Sequence, residues 1–128
     1  LSDRFSLFHN NDAEQSVLGG ILLDSESASL VMEYLHQEEF FKKKHRIVFE
    51  AIHQMNKKDI PIDILTVSEY LRQQGKLEDV GGVAYIACLA EVVPTGKNVN
   101  HYAFIVKKKA LMRSLAELIY YGHKAEIS

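Results

Sequence analysis

Two adjacent glycines, Gly19 and Gly20, stand inside a stretch that otherwise reads as a helix with one apolar face. Ala13, Val17 and Ile21 recur every fourth residue, and Leu18 and Leu22 widen the stripe. Asp12 reads as the N-cap, with Gln15 reaching back to complete a capping box. A glycine in a helix interior costs about 1 kcal/mol relative to alanine. Two side by side are expected where another backbone comes too close to leave room for a Cβ. The fold must therefore pack its elements tightly around this helix.

The remaining periodic stretches also repeat near 3.6 residues, and no run alternates like a half-buried strand over more than about four residues. The expectation is an all-α domain: a compact bundle of about five short helices and a long C-terminal one. A second helix starts at Asp24 or Ser25 and carries Ala28, Val31, Met32 and Leu35. Phe40 and Phe41 read as core plugs before a third helix at about Lys43–Lys57, which buries Ile47, Val48, Ala51, Ile52 and Met55. Lys57 and Lys58 suit the negative end of that helix. Pro61 blocks continuation, Asp63 caps a fourth helix with Ile62 as staple, and Leu65, Val67, Tyr70 and Leu71 follow up to the stop at Gly75. A fifth helix from about Asp79 to Val92 packs Val83, Ile86 and Leu89 and ends at Pro94.

From about Asn98 to Tyr121 nothing breaks the last helix, so it would extend roughly 35 Å at 1.5 Å per residue. Its apolar residues Tyr102, Ile105, Val106, Leu111, Met112, Leu115, Leu118 and Ile119 cover more of the circumference than a small globule can bury. The chain thus divides into a head, residues 1–97, and an arm, residues 98–128. Leu111, Leu115, Leu118 and Ile119 are expected to be exposed and to serve self-association. Gly122 reads as the terminator of the arm or the turn of a helical hairpin.

With 47 % hydrophobic and 25 % charged residues, the 128-residue chain has the composition of one soluble globular domain. No apolar run approaches a membrane span of about 18 residues, and the polar opening residues read as a trimmed tail. Cys88, between Ala87 and Leu89, reads as a small buried hydrophobe. A net charge of −2 argues against nucleic acid held by long-range attraction. The clusters Lys42, Lys43, Lys44 with Arg46, and Lys107, Lys108, Lys109 with Arg113, read as solvated helix ends and faces, with contact to a partner protein as the alternative. The histidines, among them His45 and His53, lack ligand spacing and read as surface or part-buried imidazoles, so no metal site is expected. Neither glycine pair is a phosphate loop, and no nucleophile–base set occurs, so neither catalytic residues nor a cofactor are expected in these residues.

Four strings occur in order along most of the chain: Asp12 to Asp24, Pro61-Ile62-Asp63 to Val67, Val80-Gly81-Gly82 to Leu89, and Val93-Pro94-Thr95 leading to Asn98-Val99 and Tyr102 to Val106. Together they resemble the N-terminal domain of the bacterial replicative DNA helicases of DnaB type. The resemblance implies a collar above an ATPase ring in the cytoplasm. There the long helix is the first arm of a hairpin through which subunits pair, as dimers that build a full-length hexamer. The primase C-terminal domain and a helicase loader are the implied partners. ATP, Mg and DNA belong to a separate C-terminal ATPase domain whose P-loop does not occur here. Glu14 and Tyr85 match motif positions in the two Gly-Gly helices and are the candidate partner-docking residues, with Tyr85 also readable as a core residue whose hydroxyl sits at the rim. The primase's own helicase-binding domain has a similar helical fold, but the Ala-Glu-Gln and Pro-Ile-Asp strings resemble the helicase side. A stand-alone helix-turn-helix module is the competing class, with Thr66 to Gly75 as its helix. It wants a basic recognition helix, and Ser68 to Lys76 carries only Arg72 and Lys76.

Overall fold

In the computed structural model, α1 (Asn11–Leu23) is the helix against which α3, α5 and α6 all pack. The description covers residue 5, residues 7–93 and residues 97–127, without the side chains of 123–127. A Cβ on Gly19 would stand 2.0 Å from the carbonyl oxygen of Leu89, and one on Gly20 would stand 3.0 Å from Cγ2 of Val99. The glycine pair therefore lets α5 and the start of α6 close on α1, as its position in the sequence requires.

Six α-helices and no strand occur among the described residues: α1, α2 (Ala28–Tyr34), α3 (Lys43–Lys57), α4 (Ile64–Gln73), α5 (Gly82–Glu91) and α6 (Val99–Ile127). Short 3-10 turns at Ser25–Ser27, Gln37–Glu39 and Glu78–Val80 join them. Val17, Leu18 and Ile21 of α1 meet Val48, Ile52 and Met55 of α3, Val67 and Leu71 of α4, and Ile86 and Leu89 of α5 in one core. Phe40, buried and 4.8 Å from the Phe49 ring, plugs its edge.

Local chemistry sets the ends. Asp63 accepts from the Thr66 N–H at 2.8 Å while Thr66 Oγ1 accepts from the Asp63 N–H, a reciprocal cap at the start of α4. α4 stops at Gly75, whose φ of +70° suits glycine, with Lys76 N–H returning to the Leu71 carbonyl.

Several expectations need correction. The cap of α1 is Asn10, whose Oδ1 accepts from the Ala13 N–H at 2.9 Å, so Asp12 lies two residues inside, within the first turn, where its charge still faces the positive helix end. The fifth helix begins at Gly82, because Gly81 takes a left-handed φ of +103° that breaks it from the preceding turn. Only Ile86 and Leu89 of α5 are buried; Val83 and Cys88 lie off that face and are exposed. In α4, Leu65 is 77 % exposed because Val67 and Leu71 define the inward side. Phe41 is only partly buried. Gly122 does not end α6, which continues to Ile127 with no proline to stop it. Nor are the opening residues all a loose tail: Phe5 is buried and rests edge-on against the Tyr120 ring. Pro94 lies outside the described residues.

Candidate interaction surface and buried polar site

The connection from α2 to α3 has few regular backbone bonds of its own, and side chains from three other elements hold it. Lys107 Nζ donates to the Tyr34 carbonyl at 2.9 Å and pairs with the Glu39 carboxylate. Arg113 donates to the carbonyls of Glu39 at 2.8 Å and Phe8 at 2.6 Å. Arg46 donates to the carbonyls of Phe40 and Phe41. From the other side Glu14 accepts from the N–H groups of Phe41 at 2.6 Å and Lys42 at 3.3 Å. Cations thus satisfy the carbonyls and an anion satisfies the amides, just where α3 presents its positive end. Burial pulls the Arg113 guanidinium below its ordinary pKa; Glu14, Glu117 and Glu39 oppose the shift and Arg46 adds to it. The two basic clusters are therefore not simply solvated faces. Arg46, Lys107 and Arg113 are structural, because they lie beside a loop with open carbonyls.

Glu14 does not stand at the surface. It is 1 % exposed, and its Oε1 lies 2.7 Å from Nδ1 of His45, which is fully buried. Nε2 of His45 lies 2.6 Å from the Tyr85 hydroxyl, which also accepts from Gln15 Nε2 at 3.2 Å. Tyr85 is half-buried, with Lys44 Nζ 4.0 Å above its ring. His45, expected as a surface or part-buried ring, is instead part of the core. Its partners are 31 and 40 residues away, so no local spacing marks it. Burying such a ring without partners would cost several kcal/mol by order of magnitude, and here both nitrogens are bonded.

The arm carries the apolar surface. Val99, Ala103, Val106 and Ala110 are buried, whereas Leu111, Leu115, Leu118 and Ile119 are between 58 % and 71 % exposed. Phe104 extends the same exposed face towards α2, where Tyr34, Phe104, Leu111 and Leu115 line an open hollow with Lys107 and Lys108. Among the described residues no three His, Cys, Asp or Glu side chains are grouped to hold a metal ion, and no helix is long and apolar enough to cross a membrane.

Residues 6–108 match the family described as DnaB-like helicase N terminal domain. The chain is 39 % identical over 122 residues to the replicative DNA helicase DnaB of Leifsonia xyli, covering 92 % of this chain and 27 % of that protein. It is 38 % identical over 107 residues to the protein of that name in Buchnera aphidicola, covering 84 % of this chain and 23 % of the relative. The chain thus spans about a quarter of the length of the curated relatives it matches. Its fold is similar to the crystal structure of the N-terminal domain of DnaB helicase from Mycobacterium tuberculosis, with a TM-score of 0.84 and 38 % identity over 90 % of this chain and 86 % of that one.

Proposed function

The chain belongs to the DnaB-like helicase N-terminal domain family, and from that premise we propose that it works as the collar of a replicative helicase, through protein contact. In this reading the domain pairs with a second copy, the pairs build a hexameric ring, and the collar docks the primase C-terminal domain and a helicase loader. Unwinding of DNA, with ATP and Mg, belongs to an ATPase domain of the full-length helicase in the cytoplasm. These residues supply no catalytic group to it.

The observation that carries the proposal is the exposed face of α6. A domain that needed those leucines for its own stability would cover them. Instead Leu111, Leu115, Leu118 and Ile119 stay open beyond the packed seam. Burying such a face against a second copy is favourable by about 25 cal/mol for each Å² of apolar surface removed from water. An isologous pair is the simplest arrangement. Partner docking is assigned to the α5 side, where Tyr85 stands half-buried beneath Lys44, with Glu14 behind it. Family membership displaces the helix-turn-helix reading; in its would-be recognition helix Arg72 is paired with Glu69.

Sedimentation velocity over a hundred-fold concentration range tests the pairing. The unaltered chain should gain mass with concentration, while Leu115→Asp should stay monomeric with an unchanged helical spectrum. Equal behaviour of the two refutes the assignment of the face. Calorimetric titration with the cognate primase C-terminal domain tests docking, and steeply salt-dependent duplex DNA binding would favour the rejected alternative.

A further inference from the structure

Three polar side chains from three helices meet in the interior with a direction to their hydrogen bonds. Glu14 accepts from the N–H groups of Phe41 and Lys42, so its carboxylate faces donors, and the third is His45 Nδ1 at 2.7 Å. With its proton on Nδ1, a neutral imidazole has only a lone pair on Nε2. The Tyr85 hydroxyl, 2.6 Å from Nε2, must then donate to it. Its own oxygen accepts from Gln15. Every donor has one acceptor, and the chain runs from the half-exposed amide of Gln15 through Tyr85 and His45 to a carboxylate that solvent does not reach.

We propose that Glu14, His45 and Tyr85 form one ordered relay in which Glu14 fixes the tautomer of His45, and His45 thereby fixes the Tyr85 phenol at the domain surface. Glu14 is a positioning residue: it acts on whatever docks at Tyr85 without touching it. The phenol proton is committed inward, so Tyr85 meets a partner as a ring with Lys44 on its face and offers only its oxygen as an acceptor. The last consequence rests on the docking role proposed above for Tyr85; the relay itself does not.

Two measurements separate the two ideas. Long-range ¹⁵N–¹H correlation spectra of the unaltered chain at mildly alkaline pH should show His45 as a single neutral tautomer with hydrogen on Nδ1. Glu14→Gln should shift the Tyr85 ring resonances and leave those of Tyr102 in place. Hydrogen on Nε2, or a Tyr85 ring blind to Glu14→Gln, overturns the relay. His45→Gln, which keeps one donor and one acceptor, should preserve the Tyr85 resonances better than His45→Leu; equal loss in the two also overturns it. In titrations with the primase C-terminal domain, Tyr85→Phe and Glu14→Gln should each weaken binding about five-fold, the loss of roughly one hydrogen bond. The double variant should be no weaker than the worse single one, because the two changes cut the same chain. A multiplied loss of about twenty-five-fold means the residues act separately and refutes the positioning role. If the unaltered chain does not bind the primase domain, the docking reading fails, and the spectra alone decide the relay.

Discussion

Replacing Gly19 by alanine sets two effects of opposite sign against each other. In an unobstructed helix the change gains about 1 kcal/mol, because alanine loses less backbone freedom and covers more of the helix. Here the new methyl would stand 2.0 Å from the Leu89 carbonyl oxygen, 3.0 Å from its carbon and 3.5 Å from Cγ2 of Val92. A carbon–oxygen contact needs more than 3 Å, so α1 and α5 must separate by roughly 1 Å, and a gap of that size forfeits a quarter to a half of each dispersion contact across it. The obstacle is backbone in the last turn of α5, so no rotamer change relieves it. Overpacking of this kind costs about 3 kcal/mol at the upper end of its usual range. The net is about 2 kcal/mol of destabilisation, or a melting temperature lower by roughly 7 °C for a domain of this size. Gly122→Ala is the matched control. Nothing lies within 4 Å of its added methyl, so the helix gain of up to about 1 kcal/mol stands alone. Thermal and denaturant unfolding followed by helical circular dichroism should move in opposite directions for the two variants. A Gly19→Ala protein that melts at or above the unaltered chain would show that α1 and α5 are not in backbone contact, and the close-approach argument would fall.

The other predictions concern the loop and the surface. Arg113→Met removes the donor to the carbonyls of Phe8 and Glu39 while keeping much of the stem. Stability should fall by about 2–3 kcal/mol, and amide exchange should quicken around Phe8 and residues 37–42; unchanged exchange there would mean Arg113 is not what holds the loop. Leu65→Ser should change stability by less than about 0.5 kcal/mol, whereas Leu71→Ala one turn and a half later should cost about 2–5 kcal/mol. Similar losses for both would place Leu65 in the core after all.

What was legible in the sequence follows from how far apart the cooperating residues lie. The bounds of α3 fall where its periodicity and flanking lysines put them, and the caps at Asp63 and Gly75 are recoverable because each is a transaction within five residues. Gly19-Gly20 also spoke clearly, since a repeated cost inside a good helix needs a neighbour. Gly81-Gly82 looks the same as a string but serves another purpose: φ values of +103° and +73° turn the chain into α5. In α5 itself the run Val83 to Ala90 is apolar nearly all round, so composition could not separate the buried Ile86 and Leu89 from the exposed Val83 and Cys88. His45, Arg46 and Arg113 were opaque for a different reason. A buried histidine or a carbonyl-holding arginine is identical in sequence to a solvated one, and only the tertiary fold supplies the distant partner.

The arm shows how one helix can serve two ends without conflict. At about 100° per residue, Val99, Ala103, Val106, Ala110, Arg113, Glu117 and Tyr120 fall on a single face. Its first four members are apolar and mostly small, which lets α6 lie close on α1. Beyond Ala110 the same face turns polar and aromatic and meets the N-terminal segment, through Arg113 with the Phe8 carbonyl and Tyr120 with Phe5. Phe104, Leu111, Leu115 and Leu118 lie roughly 130° away on the helix surface. That angle explains why the apolar residues of the arm form no single stripe: one set closes the domain, and the other is left over from it. The leftover set contributes little to the fold of the chain by itself, so it is free to vary the strength of contact with another protein surface at small cost to the head. Conversely, a change on the packed seam such as Ala103 should disturb both, because the direction in which the arm leaves the head depends on how closely that seam fits.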